Sequence, residues 1–107
     1  MGWQPRYRYS VAGAAQMKIE WTSKALSDLV RLYEFLAVKN KLAAARTVQS
    51  LSAAPDRLLD QARIGEKLEE FEPREVRRII VGSYEMRYEI QESIIYVLRL
   101  WHTREDR

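Results

Sequence analysis

The 107-residue chain has no cysteine, which excludes a disulfide framework and a thiolate nucleophile or ligand and makes a reducing cytoplasm its natural setting. It has one histidine, His102, which argues against a metal centre. No apolar run approaches the length of a membrane span. Neither sign of charge dominates: 18 basic and 15 acidic residues give +3 and a pI near 9.3, which permits an acidic partner without requiring one. Repeats and low-complexity segments are missing. What is present is 47% hydrophobic content, enough for one domain with one modest core.

Acidic residues are absent from positions 1–16, MGWQPRYRYSVAGAAQ, where no periodicity can be found. The segment also lacks the apolar stretch of a signal peptide. Tyr7-Arg8-Tyr9 interleaves aromatic and cationic side chains in a way that suits single-stranded nucleic acid. The segment reads as a disordered leader or a non-native extension, with the domain at 17–107 and Met17 as a natural first residue. Without the leader's two arginines, 16 basic face 15 acidic residues, so the domain is near neutral.

The stretch from Arg74 to Trp101 organises the chain as three consecutive strands. Tyr84, Met86, Tyr88 and Ile90 alternate with Glu85, Arg87 and Glu89, the period of a half-buried strand. Gly82-Ser83 reads as a two-residue hairpin turn, since glycine supplies the positive φ such turns need. Counting outward pairs Val81 with Tyr84, Ile79 with Met86 and Arg78 with Arg87. The third strand, Ile94 to Trp101, is apolar on both faces except at Arg99 and is expected to be central. A three-residue loop, Gln91-Glu92-Ser93, would place Tyr96, Leu98 and Leu100 on the face of Met86. A one-residue slip would reverse them.

That register gathers Arg78, Arg87 and Arg99 on one face, with Arg74 and Arg104 near its margins. Like charges directly opposite cost up to about 1 kcal/mol. Either Glu85 and Glu89 neutralise a solvated face, or the arginines await an acidic partner or a phosphate, or Arg87 is tied to Glu85 or Glu89 in a buried network.

Upstream, Met17 to Trp21 alternates as a first strand with Met17, Ile19 and Trp21 inward. Thr22 or Ser23 caps a helix whose apolar stripe is Ala25, Leu26, Leu29, Leu32, Tyr33 and Leu36. Lys39-Asn40-Lys41 breaks it. A second helix carries Leu42, Ala45, Val48, Leu51, Leu58, Leu59 and Ala62 on one face, and Pro55 kinks or restarts it. Residues 64–73 read as a connection rich in carboxylates: Glu66, Glu69, Glu70 and Glu72. No nucleophile or second ligand type accompanies them, so they read as solvated. The order β-α-α-β-β-β predicts a two-layer α+β fold, a mainly antiparallel sheet with an αα-hairpin on one face.

This order resembles the RelE/ParE superfamily of type II toxins. So do Ile19-Glu-Trp-Thr-Ser-Lys-Ala-Leu-Ser-Asp-Leu29, Ile64-Gly65, Arg74-Glu75, Tyr84-Glu-Met-Arg-Tyr88 and Val97-Leu-Arg-Leu-Trp-His-Thr-Arg104. The resemblance covers residues 17–107. It implies a cytoplasmic toxin neutralised by a cognate antitoxin whose C-terminal segment wraps it, with no cofactor and no metal. ParE-like members act on DNA gyrase; RelE-like members cut mRNA on the ribosome. RelE-type chemistry uses an arginine near the end of the second strand, where Ile80 stands here, and one after the last strand, matched by Arg104. Its C-terminal tyrosine has no counterpart up to Arg107. The expectation is therefore ParE-like, with Arg74, Arg78, Arg87, Arg99 and Arg104 as a basic face for the target or the antitoxin. In the nuclease alternative the His102 imidazole would be the general acid or base beside Arg99 and Arg104, with Arg87 as a further candidate.

Overall fold

A computed structural model describes residues 17–104. The leader reading, for residues 1–16, lies outside the described residues. The elements are β1 (Lys18–Trp21), α1 (Ser23–Ala37), α2 (Lys41–Ala53), β2 (Glu66–Lys67), β3 (Glu75–Val81), β4 (Tyr84–Gln91) and β5 (Ile94–His102). They form a five-stranded sheet in the order β1-β5-β4-β3-β2, antiparallel except for the β1–β5 pair. The helical hairpin covers one face, so the two-layer α+β expectation holds. The added element is β2, two residues in the acidic connection.

Each helix starts on a side-chain cap. The Thr22 hydroxyl accepts the Ala25 N–H and the Asn40 side-chain oxygen accepts the Ala43 N–H, each satisfying a donor that the first turn leaves over. Pro55 ends α2 as expected, and a 3-10 helix over Ala54–Leu59 follows. Ala25, Leu32, Leu51 and Leu58 from this layer pack on Ile79, Met86, Tyr88, Ile90, Ile95, Val97 and Leu100 of the sheet. Met17, Ile19 and Trp21 join them, as their alternation predicts. Leu42 and Leu59 do not: both are exposed, and Ala44 is the residue buried in the first turn of α2.

The β3–β4 register is the one counted from Gly82, which has φ 61°. The β4–β5 register departs from the expected one. The turn is two residues, Glu92-Ser93, with Glu92 itself at φ 54°, so Gln91 pairs with Ile94. An irregularity at Arg87/Tyr88 then absorbs Leu98: Arg87 faces Arg99, and Tyr88 faces Val97. Leu100 therefore shares the Met86 face as expected, whereas Ile95 and Val97, not Tyr96, fill the core below the bulge. Nor is β5 the middle strand. It lies between β1 and β4, and β4 is the centre of the five.

One contact ties the connection to the sheet. The buried Tyr88 hydroxyl accepts the Gly65 N–H at 3.0 Å and donates to the Ala62 carbonyl at 2.7 Å. Burial pushes the Tyr88 phenol up, with the Gly65 N–H pulling the other way. A Cβ at Gly65 would stand 2.6 Å from both that hydroxyl and the Arg78 carbonyl, so the chain passes here only as glycine.

Candidate functional site

The face of the sheet away from the helices carries the row foreseen from the register. Arg78 opposes Arg87, and Arg87 opposes Arg99. Arginine row and carboxylates are matched nearly one to one. Glu85, only 2% exposed, receives Arg87 Nη2 at 3.1 Å and Arg78 Nη1 at 3.4 Å. Arg78 also binds Glu66 on β2. Arg74 makes a two-point pair with buried Glu89 at 2.8 and 3.2 Å. This guanidinium holds the Glu89 carboxyl below its ordinary value, against the opposing effect of burial.

Two rings separate the cations. The Arg87 guanidinium lies over Phe71 at 5.4 Å and over Trp101 at 4.9 Å. Arg74 takes the Phe71 ring at 5.9 Å and Arg99 the Trp101 ring at 5.4 Å. Contacts therefore run Arg74, Phe71, Arg87, Trp101, Arg99, cation and ring in turn, each worth about 0.5–2 kcal/mol. The face is thus neither a bare basic patch nor a merely solvated one. It is an ion-pair and cation–π network with two buried carboxylates at its centre.

Arg99 leads to a residue the sequence reading missed. β1 ends at Trp21 opposite Val97, and the start of α1 covers the rest of that edge of β5. Thr22 N–H donates to the Val97 carbonyl at 3.1 Å, and its hydroxyl donates to the same oxygen at 2.9 Å. Beyond it, Asp28 accepts the Leu100 N–H at 2.9 Å and Arg99 Nε at 2.8 Å, with Arg31 at 3.4 Å. Burial alone would push the Asp28 carboxyl up. Arg99, the Leu100 N–H and Arg31 together hold it below its ordinary value. An acid three residues after Ala25 and four before Leu32, within an apolar stripe, was the available signal.

Arg104 and His102 lie elsewhere. His102 packs edge-on against Tyr84 at 5.3 Å on the helix-covered face, and its Nδ1 accepts the Arg104 N–H at 3.1 Å. With Arg31, Leu32, Phe35, Leu36 and Tyr84 they line a groove of about 670 Å³ between α1 and the end of β5. Its floor is apolar, Phe35 is 75% exposed, and Arg31 and Arg104 make its rim cationic beside His102. The sequence-predicted residues therefore divide. Arg74, Arg78, Arg87 and Arg99 come together on one face; His102 and Arg104 meet on the other. Arg87 and Arg99, the other cations of the nuclease alternative, do not join His102 and Arg104. Among the described residues no group of three or more potential metal ligands forms, and no helix is long and apolar enough to cross a membrane.

Two outcomes follow from this geometry. Arg87→Ala removes a partner from buried Glu85 and empties the space between two rings, so urea unfolding should show a loss of about 2–3 kcal/mol. A variant as stable as the wild type would mean that the network contributes nothing. Asp28→Asn should lower stability at pH 7 by about 1–3 kcal/mol. A depressed carboxyl contributes stability above its ordinary pKa of 3.8 that is lost as pH falls through the lower folded value. The gap between variant and wild type should therefore shrink between pH 7 and pH 3 in the same measurement.

Comparison with known proteins places this arrangement. A family model described as "ParE toxin of type II toxin-antitoxin system, parDE" matches residues 19–107. The chain is 28% identical over 85 residues to Toxin RelE2 of Caulobacter vibrioides, covering 79% of this chain and 93% of that protein. The fold is shared with a structure titled "Chromosomal ParDE TA system from P. aeruginosa", at TM-score 0.69 and 23% identity over 81% of this chain and 96% of that one. It is shared more distantly with the archaeal RelE–RelB complex from Pyrococcus horikoshii, at TM-score 0.51 and 15% identity, over 86% of this chain and all of that one. With the match spanning most of its length, the chain belongs to the ParE toxin family of type II toxin–antitoxin systems.

Proposed function

We propose that this toxin acts in the ParE manner, by engaging DNA gyrase through its surface rather than by cutting RNA, and that a cognate antitoxin neutralises it. The observation that carries this reading is the separation of the nuclease candidates. His102 and Arg104 sit on the helix face while Arg87 is held between Phe71 and Trp101 on the other. A general base needs the phosphate-binding cations beside it. The arginines that are gathered already hold carboxylates, which suits recognition better than stabilising a phosphate in flight.

One observation favours the RelE-like alternative. His102 shares the groove with Arg31 and Arg104. Its Nδ1 already accepts the Arg104 N–H, so Nε2 is the ring nitrogen left to face a substrate. Purified protein added to a gyrase supercoiling reaction and, in parallel, to a cell-free translation mix separates the two. Inhibited supercoiling with intact mRNA is expected. Codon-position-specific cleavage of mRNA would reverse the reading.

The groove between α1 and β5 is the docking place we assign to the antitoxin. Leu32, Phe35 and Leu36 would take apolar side chains, and the cationic rim an acidic one. Phe35→Asp puts a charge into the exposed part of that floor without touching the core. It should weaken antitoxin affinity at least about tenfold in a calorimetric titration while the melting temperature stays near that of the wild type. Undiminished affinity would move the interface elsewhere.

A further inference from the structure

Among the arginines of the outer face, Arg78 differs in the kind of partner it holds. Glu89, Glu85 and Asp28, which pair with Arg74, Arg87 and Arg99, are buried on β4 and α1. Glu66 is not. Its side chain is 62% exposed and rides on the two-residue strand at the edge of the sheet. Arg78 Nε and Nη2 both converge on a single oxygen, Glu66 Oε1, at 2.9 and 2.8 Å. An exposed pair of this kind contributes little to stability, so a competing carboxylate displaces it easily. Once Glu66 swings away, Glu85 alone serves two guanidinium groups, and the position carries a surplus of positive charge.

The surroundings describe the visitor. β2 pairs with β3 only at Arg77 and Arg78. The Val76 carbonyl accepts the Leu68 N–H, so the even-numbered residues of β3 turn their backbone polar groups toward this edge. Ile80 is the next of them; no described strand lies beside it, and its side chain is 52% exposed on the same face as Arg78. The edge thus offers a guanidinium, an apolar side chain two residues on and, at Ile80, backbone groups with no described strand beside them. An extended peptide matches all three, with an acidic residue and an apolar residue at alternate positions. Nucleic acid matches less well. Carboxylates on this face balance its arginines, leaving little field for a polyanion, and Ile80 offers a phosphate backbone nothing.

We propose that Glu66 is an internal occupant of a carboxylate-binding position at Arg78, displaced when an acidic side chain of a partner polypeptide lies along the open edge of β3. This rests on the reading of the arginine face as a partner-binding surface. Glu66→Gln removes the competing charge at an exposed position and leaves the core untouched. Fluorescence anisotropy with a short labelled peptide of alternating glutamate and valine, at low salt, reads the effect.

The variant should bind this peptide about fivefold tighter than the wild type, the loss of one exposed ion pair as competitor. Glu66→Gln combined with Arg78→Ala should show no gain. An unchanged affinity in Glu66→Gln, or a gain that survives the loss of Arg78, would overturn the assignment. An equal or larger gain for a labelled oligothymidine would overturn the choice of a polypeptide. Supercoiling inhibition by the wild type is read in parallel. If it persists while the peptide gain is absent, only the Glu66 assignment falls. If it is absent while the gain is seen, the gyrase reading falls and the carboxylate position stands.

Discussion

Burial of β4 on both faces is the constraint on which the rest of the structure depends. A central strand with the helices on one side and Phe71 and Trp101 on the other cannot leave its charges to water. Glu85 and Glu89 are nevertheless among its buried residues. An isolated carboxylate there would cost several kcal/mol, so arginines must come to it from neighbouring strands or from the same strand. Three arginines in register would repel one another in an ordinary exposed sheet. Here the repulsion is met from inside, by a shared carboxylate below and ring faces between. The row of like charges and the buried acids are one solution, and neither would be stable alone.

The same logic operates at the edge of β5. The first strand is too short to cover it, and the remaining backbone carbonyls and N–H groups need partners. Thr22 and Asp28, the cap and the second turn of α1, supply them. Asp28 in turn fixes Arg99 at the end of the cation–ring series. The helix that lines the apolar groove on one side thus also sets one terminus of the arginine network on the other.

Much of this was legible in the residues. Gly82 marked a turn whose geometry admits little else, and the pairing of Arg78 with Arg87 followed by counting. The second hairpin carried no such mark, because its positive-φ position is occupied by glutamate. Ile94 to Leu98 is apolar at every position, so no alternation existed to fix its register, and the bulge at Leu98 was invisible. β2 is a Glu-Lys dipeptide, shorter than any period. The arginine face was foreseen, whereas the burial of its carboxylates was one of three outcomes left open, since a glutamate alternating with core residues looks the same whether water or Phe71 lies above it. The groove was missed because its parts come from α1 and the end of β5, far apart in the chain and unrelated by spacing.

The parallel pairing of β1 with β5 has a consequence in time. Lys18 to Trp21 lie beside Ile94 to Val97, so the two ends of the described chain are hydrogen-bonded to each other. Closing so long a loop carries a larger entropic cost than forming the β3–β4–β5 meander, whose contacts are local. More simply, the first strand has nothing to pair with until the last has been made. A growing chain therefore cannot complete this sheet, or the Asp28 contact that depends on it, before β5 has been synthesised. The finished surface comes into being only once β5 has been made.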